Sequence, residues 1–410
     1  MKKRSHYKFL FLLILPSFCG YSQSWIQQSS NSSNDFNTIF ATSNSRVHAF
    51  GDSSDIFGGF ALGSHYATSN QGFSWGYSSL NSIVYTSRES YFVDNNVGYL
   101  VGKNQLSGNG FVLKTVDGGS NWVEDVPHVE RLEAVHFENA NFGYATGRND
   151  YVVRTVDGGV NWVDVSSNTG DHIMGVSFTN PSNGFIVGRA GNIAHTTDSA
   201  STWVNQTSAT PEDLEGVWFV NDSTGWAVGT AGTIVHTSDS GITWVNQTSN
   251  TPEDLFDVEF VNDSTGWAVG AAGAIVMTTD AGVTWSVENS NTTEDIFSIT
   301  MRNESLGWFC GTNGTIFIYA VSPPNQIDES YSIETTLYPV PADNSLNVRF
   351  ESYQIDIRLK MISITGQTIY ESSFSGIQLK LNTADFPSGT YVLQSLDHGN
   401  VVSKSFVVLH

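Results

Sequence analysis

Five tryptophans, Trp122, Trp162, Trp203, Trp244 and Trp285, follow one another at intervals of 40, 41, 41 and 41 residues. Each ends an octet of one kind: "TVDGGSNW", "TVDGGVNW", "TTDSASTW", "TSDSGITW" and "TTDAGVTW". Trp75 ends a degenerate version, "TSNQGFSW". A fixed period of this length implies a fold made by stacking one small unit. Within the unit, "LEGVWFV", "GWAVG", "TIVHT" and "WVNQTS" read as four short strands separated by "NDST", "TAG" and the octet. Four strands in roughly 41 residues is the pattern of a β-propeller blade.

The ends of the array predict a closed ring. The last unit, starting at Asp295, stops after "TIFIYAVSP" with neither octet nor Trp. "SWIQQSS" at 24–30 matches "TWVNQTS" at 243–249, so the N-terminal segment is expected to supply the missing fourth strand. Trp25, Trp75 and the five octet tryptophans then count seven blades. The expected fold is all-β: a seven-bladed propeller over 23–321 closed by its N-terminal strand, then a linker (322–335) and a small immunoglobulin-like β-sandwich (336–410). Closure removes free sheet edges. Gly-aromatic-x-x-Gly recurs at Gly98-Tyr99, Gly143-Tyr144, Gly184-Phe185, Gly225-Trp226, Gly266-Trp267 and Gly307-Trp308, which fits close contacts and aromatic packing between blades.

Residues 1–22 read as a signal peptide: a basic start, then "FLFLLILPSF", roughly ten apolar residues and too short to span a bilayer. Its removal takes Lys2, Lys3, Arg4 and Lys8, leaving 14 basic against 40 acidic side chains, a net of −26. Such a charge disfavours nucleic acid and anionic lipid as partners. Cys19 follows the bulky Phe18, a poor lipidation acceptor, and Cys310 is expected as a small buried hydrophobe where the preceding unit has Val269.

The octet looks catalytic but recurs too often. A catalytic residue is needed once per site, whereas Asp117, Asp157, Asp198, Asp239 and Asp280 recur once per unit. A short polar side chain accepting backbone N–H bonds closes a turn, and a glycine two residues on permits a left-handed backbone. The octet aspartates and tryptophans are therefore read as structural. Arg154, at the position of Lys114, His195, His236 and Met277, is read as surface variation, and the two histidines as duplicated surface residues. No cofactor motif or metal-ligand set is expected.

One polar recurrence suggests binding. Glu212-Asp213, Glu253-Asp254 and Glu294-Asp295 precede the first strand of successive units, with Asp171 one unit earlier. In a propeller these loops surround one mouth of the channel, so the acids would form an arc facing a cationic partner or divalent ion. A copied solvated turn is the competing reading.

"DLFDVEFVNDSTGWAVGAAGAIVMTTDAGVTW" resembles the repeats of the photosystem II stability/assembly factor family, which form seven-bladed propellers. The octet resembles the Asp box of bacterial neuraminidase repeats. The second resemblance keeps a secreted glycoside hydrolase, sialidase-like or with two carboxylates at the channel mouth, as the rival to a non-catalytic propeller binding a protein or glycan. The sialidase start motif is absent.

The last 75 residues carry no octet and no Trp. "LYPVPADNSLNV", "ITGQTIY", "FPSGTYVLQ" and "KSFVV" resemble the type IX secretion C-terminal sorting domain of the Bacteroidetes, with Tyr338, Pro339, Pro341, Gly366, Gly389 and Tyr391 on the motif. Val340 replaces the usual Asn. The resemblance implies recognition by the type IX machinery, export across the outer membrane, and a final place in the medium or on the cell surface.

Overall fold

The computed structural model describes residues 23–57, 60–80, 85–124, 128–167, 169–170, 172–321, 335–363, 367–397 and 400–409. The expected signal peptide, most of the linker, Asp171 and Gly366 lie outside them. The chain divides into two compact units, Met1–Pro324 and Asn325–His410.

Among the described residues the first unit holds seven four-stranded antiparallel sheets, numbered here in the order of their first strands. Those strands are Asp35–Ala41, Tyr85–Phe92, Leu132–Phe137, Ile173–Asn180, Leu214–Phe219, Leu255–Phe260 and Ile296–Asn303. Sheet 5 is typical: Leu214–Phe219, Gly225–Gly229, Thr233–Thr237 and Val245–Gln247 pair in chain order. In sheet 7 the fourth place is taken by Gln23–Gln27, antiparallel to Ile316–Val321 with Trp25 opposite Tyr319. The Trp25 ring, 2% exposed, lies 4.7 Å from Phe309.

Aromatic stacks join the sheets. Phe219 of sheet 5 lies flat on Phe185 of sheet 4 at 3.8 Å, and Trp244 caps it edge-on at 5.9 Å. Phe260, Trp226 and Trp285 repeat the arrangement one sheet on. The glycines of Gly-aromatic-x-x-Gly make room for this packing. A Cβ at Gly225 would fall 2.6 Å from the Phe219 ring, and one at Gly229 would fall 1.9 Å from the Asp213 carbonyl oxygen.

The second unit, expected as a small β-sandwich, is all-β. Its strands, Thr335–Tyr338, Ser345–Ser363, Thr368–Asn382, Gly389–Asp397 and Asn400–Val408, form one five-stranded sheet. The 19-residue strand Ser345–Ser363 shifts register at Arg349, Gln354 and Ile357. Leu346 and Val348 before these irregularities, and Leu359 and Met361 after them, share one core. The one strand Ser345–Ser363 thus contributes both of its ends to that core. Of the motif residues, Tyr391 is buried there and donates its hydroxyl to the Pro387 carbonyl at 2.7 Å. Tyr338 accepts the Gln378 amide at 3.0 Å, Pro339 and Pro341 follow its strand, and Gly389 opens another.

Candidate functional site

The octets close identically. Asp239 accepts the Thr243 N–H at 2.9 Å on one oxygen and the Thr243 hydroxyl at 2.7 Å on the other. The Thr237 hydroxyl donates to Asp239 at 2.9 Å and accepts the Gly241 N–H at 2.9 Å. Asp117, Asp157, Asp198 and Asp280 bond Asn121, Asn161, Thr202 and Thr284 in the same way. These bonds hold the carboxyls below the usual range, through the Thr243 N–H first for Asp239 and the Asn121 amide first for Asp117. Two residues, not one, are left-handed: Ser240 and Gly241 (φ 61° and 77°), or Ser199 and Ala200 (both 62°). Of the octet tryptophans, Trp122, Trp244 and Trp285 are buried, and Trp162 and Trp203 partly so.

The acids before the first strands are tied into the fold. Asp213 accepts the Ala190 N–H of the preceding sheet at 2.8 Å, Asp254 that of Ala231 at 2.8 Å, and Asp295 that of Ala272 at 2.9 Å. Asp35 does the same to Asn313 of sheet 7 at 3.0 Å. The acceptor one residue beyond Asp171 is His172, bonded by the Asn149 N–H at 3.2 Å. Glu212 accepts the Thr230 hydroxyl, and Glu294 accepts Thr312 and Asn313; the Glu253 side chain is exposed.

The structure corrects the surface reading of the cations. Lys114 and Arg154 each donate to a backbone carbonyl in the next sheet's octet, Gly158 and Ser199. His195 stacks on Phe185 at 4.1 Å and bonds Asn183 at 2.7 Å, while His236 packs 4.9 Å from Trp226. Cys310 is fully buried, its thiol 3.4 Å from the Phe36 carbonyl. Among the described residues no group of three or more His, Cys, Asp or Glu is placed to hold a metal ion.

What does not repeat collects in the middle. All seven first strands line one cavity of about 440 Å³. Each carries a β-bulge near its start: in sheet 5, Leu214 faces Gly229 and Gly216 faces Val228, leaving Glu215 unpaired. The same shift sets Asn37, Arg88, Glu133, Met174, Phe256 and Phe297 out of register. A bulge re-aims its side chain, and these seven, all different in setting, line the cavity. Glu133 is neutralised by Arg131, Arg148 and Arg88 at 2.8, 3.2 and 3.4 Å. Among the described residues Glu215 has no ion pair, and its carboxyl is raised by burial and then by Asp213. Phe256 and Phe297 sit 5.7 Å apart. The sequence held a signal for the bulge. Leu214, Val217 and Phe219 are apolar at places one, four and six, a break in strict alternation that Leu132-Val135-Phe137 and Leu255-Val258-Phe260 repeat.

Deeper in, side chains bond the neighbouring first strand. Glu89 accepts the Val135 N–H at 2.6 Å, Asp257 that of Ile299 at 2.9 Å and Glu259 that of Met301 at 3.0 Å. Ser298 and Thr300 of sheet 7 accept the N–H groups of Ile39 and Ala41 of sheet 1 at 3.3 and 3.2 Å. Burial raises the carboxyl of Glu89 to about 8 and those of Asp257 and Glu259 upward.

At the far ends of the first strands lies a slot of about 730 Å³. Tyr91, His136 and Trp218 line it with Ser177, and Glu138 and Asp222 join them. Tyr91 and His136 are 5.1 Å apart. Burial lowers His136 to about 4, so its ring is neutral near pH 7. Burial and then Asp222 raise Glu138. No Lys or Arg lines the slot. Sequence reasoning missed it, because four sheets contribute to it.

An all-β chain of propeller-like four-stranded sheets bearing Asp boxes defines a class: a repeat propeller, here joined to a small all-β unit. The sequence profile of the family described as photosynthesis system II assembly factor YCF48 matches residues 124–203, 160–253 and 244–320. That of the secretion system C-terminal sorting domain matches residues 336–409. The chain carries YCF48-like repeats and a type IX sorting domain. Among solved structures it is similar to YCF48 from Cyanidioschyzon merolae at 18% identity, covering 72% of this chain and 98% of that one, TM-score 0.58. It is also similar to YCF48 bound to D1 peptide (16%, 73% and 95%, TM-score 0.59) and to the WD40 β-propeller domain of Doa1 (8%, 73% and 98%, TM-score 0.59). No match was found among curated protein sequences. The sorting domain indicates export across the outer membrane to the cell surface or beyond and, with it, a Bacteroidetes source. Among the described residues no helix is long and apolar enough to cross a membrane.

Proposed function

We propose that the first unit is a seven-bladed ring, closed by its N-terminal strand, that binds a protein or glycan outside the cell without transforming it. The observation that carries the binding role is the bulge, which delivers a varied side chain from every sheet to one cavity while the repeated acids bond the fold itself. Closure is supported by the Asp35–Asn313 bond, which repeats between sheets 7 and 1 the bond made by Asp213, Asp254 and Asp295. YCF48, of like fold, was solved with a peptide bound. The rival reading, glycoside hydrolysis, draws on Glu138 and Asp222, since a carboxyl raised beside a second one suits a general acid.

Two experiments test these readings. The full chain is presented to glycan and peptide arrays, and each bound compound is assayed for turnover. Binding without turnover is expected; turnover abolished by Glu138→Gln or Asp222→Asn would establish the hydrolase. For closure, Trp25→Ala should cost about 3–5 kcal/mol in urea unfolding. An unchanged midpoint removes the N-terminal strand from the fold's closure.

A further inference from the structure

We infer that the slot between Tyr91, His136 and Trp218 accepts a basic side chain, lysine or arginine, of a partner polypeptide. The inference rests on the partner-binding reading and names the mouth and the chemistry. Four observations converge on it. The first is shape: where sheets 3 and 5 place His136 and Trp218, sheet 4 places Ser177, whose hydroxyl is already bonded to the Phe219 N–H at 3.1 Å. A small residue between two rings opens a space with aromatic walls.

The second is charge. Glu138 and Asp222 both line the slot with Tyr91, and burial and then Asp222 push the Glu138 carboxyl up. Asp222 is fixed by the Thr179 hydroxyl and by the Asn180 amide at 3.0 Å. No Lys or Arg is on the lining, neither carboxylate is in an ion pair among the described residues, and His195, which interacts with Asp222, is held below its ordinary value by burial. The third is the wall material. Trp and Tyr faces attract cations through the ring quadrupole, more strongly where water is excluded, and a neutral His136 adds no repulsion. The fourth is contrast with the opposite mouth, where three arginines already neutralise Glu133. An anionic ligand would meet two uncompensated carboxylates. A neutral sugar would stack on Trp218 but would leave the repulsion between them unrelieved.

The test uses the full secreted chain and three blocked pentapeptides, Gly-Gly-Lys-Gly-Gly and its Arg and Gln analogues, with cellopentaose as the glycan probe. Titration is followed by calorimetry at low and high salt. The Lys and Arg peptides should bind with Kd on the order of 1 mM and the Gln peptide about tenfold more weakly, with the difference shrinking as salt rises. Glu138→Gln and Trp218→Ala should each weaken the Lys peptide about tenfold, Trp218→Phe much less, and Asp239→Asn, in an Asp box outside the slot, not at all. Equal binding of the Lys and Gln peptides overturns the inference, as does indifference to Glu138→Gln, a change at the rim that leaves the core intact. Cellopentaose bound in preference to the peptides and lost with Trp218→Ala also overturns it, while the partner-binding reading stands. Binding that falls with Phe256→Ala but not with Trp218→Ala overturns it too and moves the site to the bulge ring.

Discussion

The carboxylates of the Asp boxes and those of the cavity wall perform one task in opposite surroundings. Asp239 accepts the N–H of Thr243 near the surface, and Glu259 accepts the N–H of Met301 buried among the first strands. Hydrogen bonding lowers the first carboxyl and burial raises the second. The box stays within one hairpin, so copying the hairpin copies the bond. The wall bond crosses from one sheet to the next, so each boundary finds its own solution: Glu89, Ser177, Asp257 or Thr300. Local bonds repeat and boundary bonds diversify, and that diversity leaves room for function in the cavity.

Glu259→Ala should break the wall bond most severely, because it leaves the Met301 N–H buried and unpaired; about 1–3 kcal/mol is expected in urea unfolding. Glu259→Gln should recover most of it, which a purely ionic role would not allow. The pH dependence separates the two groups further. The boxes, lowered in the folded state, stabilise above the ordinary aspartate range and lose this as pH falls through their folded values. Glu89, raised from 4.5 to about 8, stabilises below 4.5 and loses its contribution as pH rises toward 8. The urea midpoint should therefore peak between these limits, and Glu89→Gln should flatten the alkaline side alone. A smaller effect probes the box backbone. Ala200 is left-handed at φ 62° where other boxes have glycine, so Ala200→Gly should stabilise by about 1 kcal/mol. The smallest is Asp239→Asn: Asn70 already closes the first octet through the Thr68 hydroxyl and Ser74 N–H at 2.7 and 3.0 Å, so the melting temperature should drop less than with Asp239→Ala.

Local features were legible in the sequence. The tryptophan period marks the sheets, and "SWIQQSS" points to the strand that joins sheet 7, because each needs only residues near in sequence or a copied motif. Features made by two sheets were not. Nothing adjacent to Arg154 tells that its guanidinium reaches Ser199, 45 residues on, and nothing beside Asp213 points to Ala190. In the sorting unit the alternating runs gave the strands, but not that "SLNVRF" and "DIRLKMIS" belong to one strand of 19 residues. The bulge lay between these cases, visible as a broken alternation in most units yet meaningful only when seven bulges face one cavity.

The pairing of Gln23–Gln27 with Ile316–Val321 also bears on time. Its partners lie about 300 residues apart, so the entropy of closing that loop is met before the contact gives anything back. Sheets 1 to 6 are each complete within their own stretch of chain, whereas sheet 7 waits for both ends to meet. On the closed-ring reading proposed above, the pairing of these two strands is the late step that completes the ring.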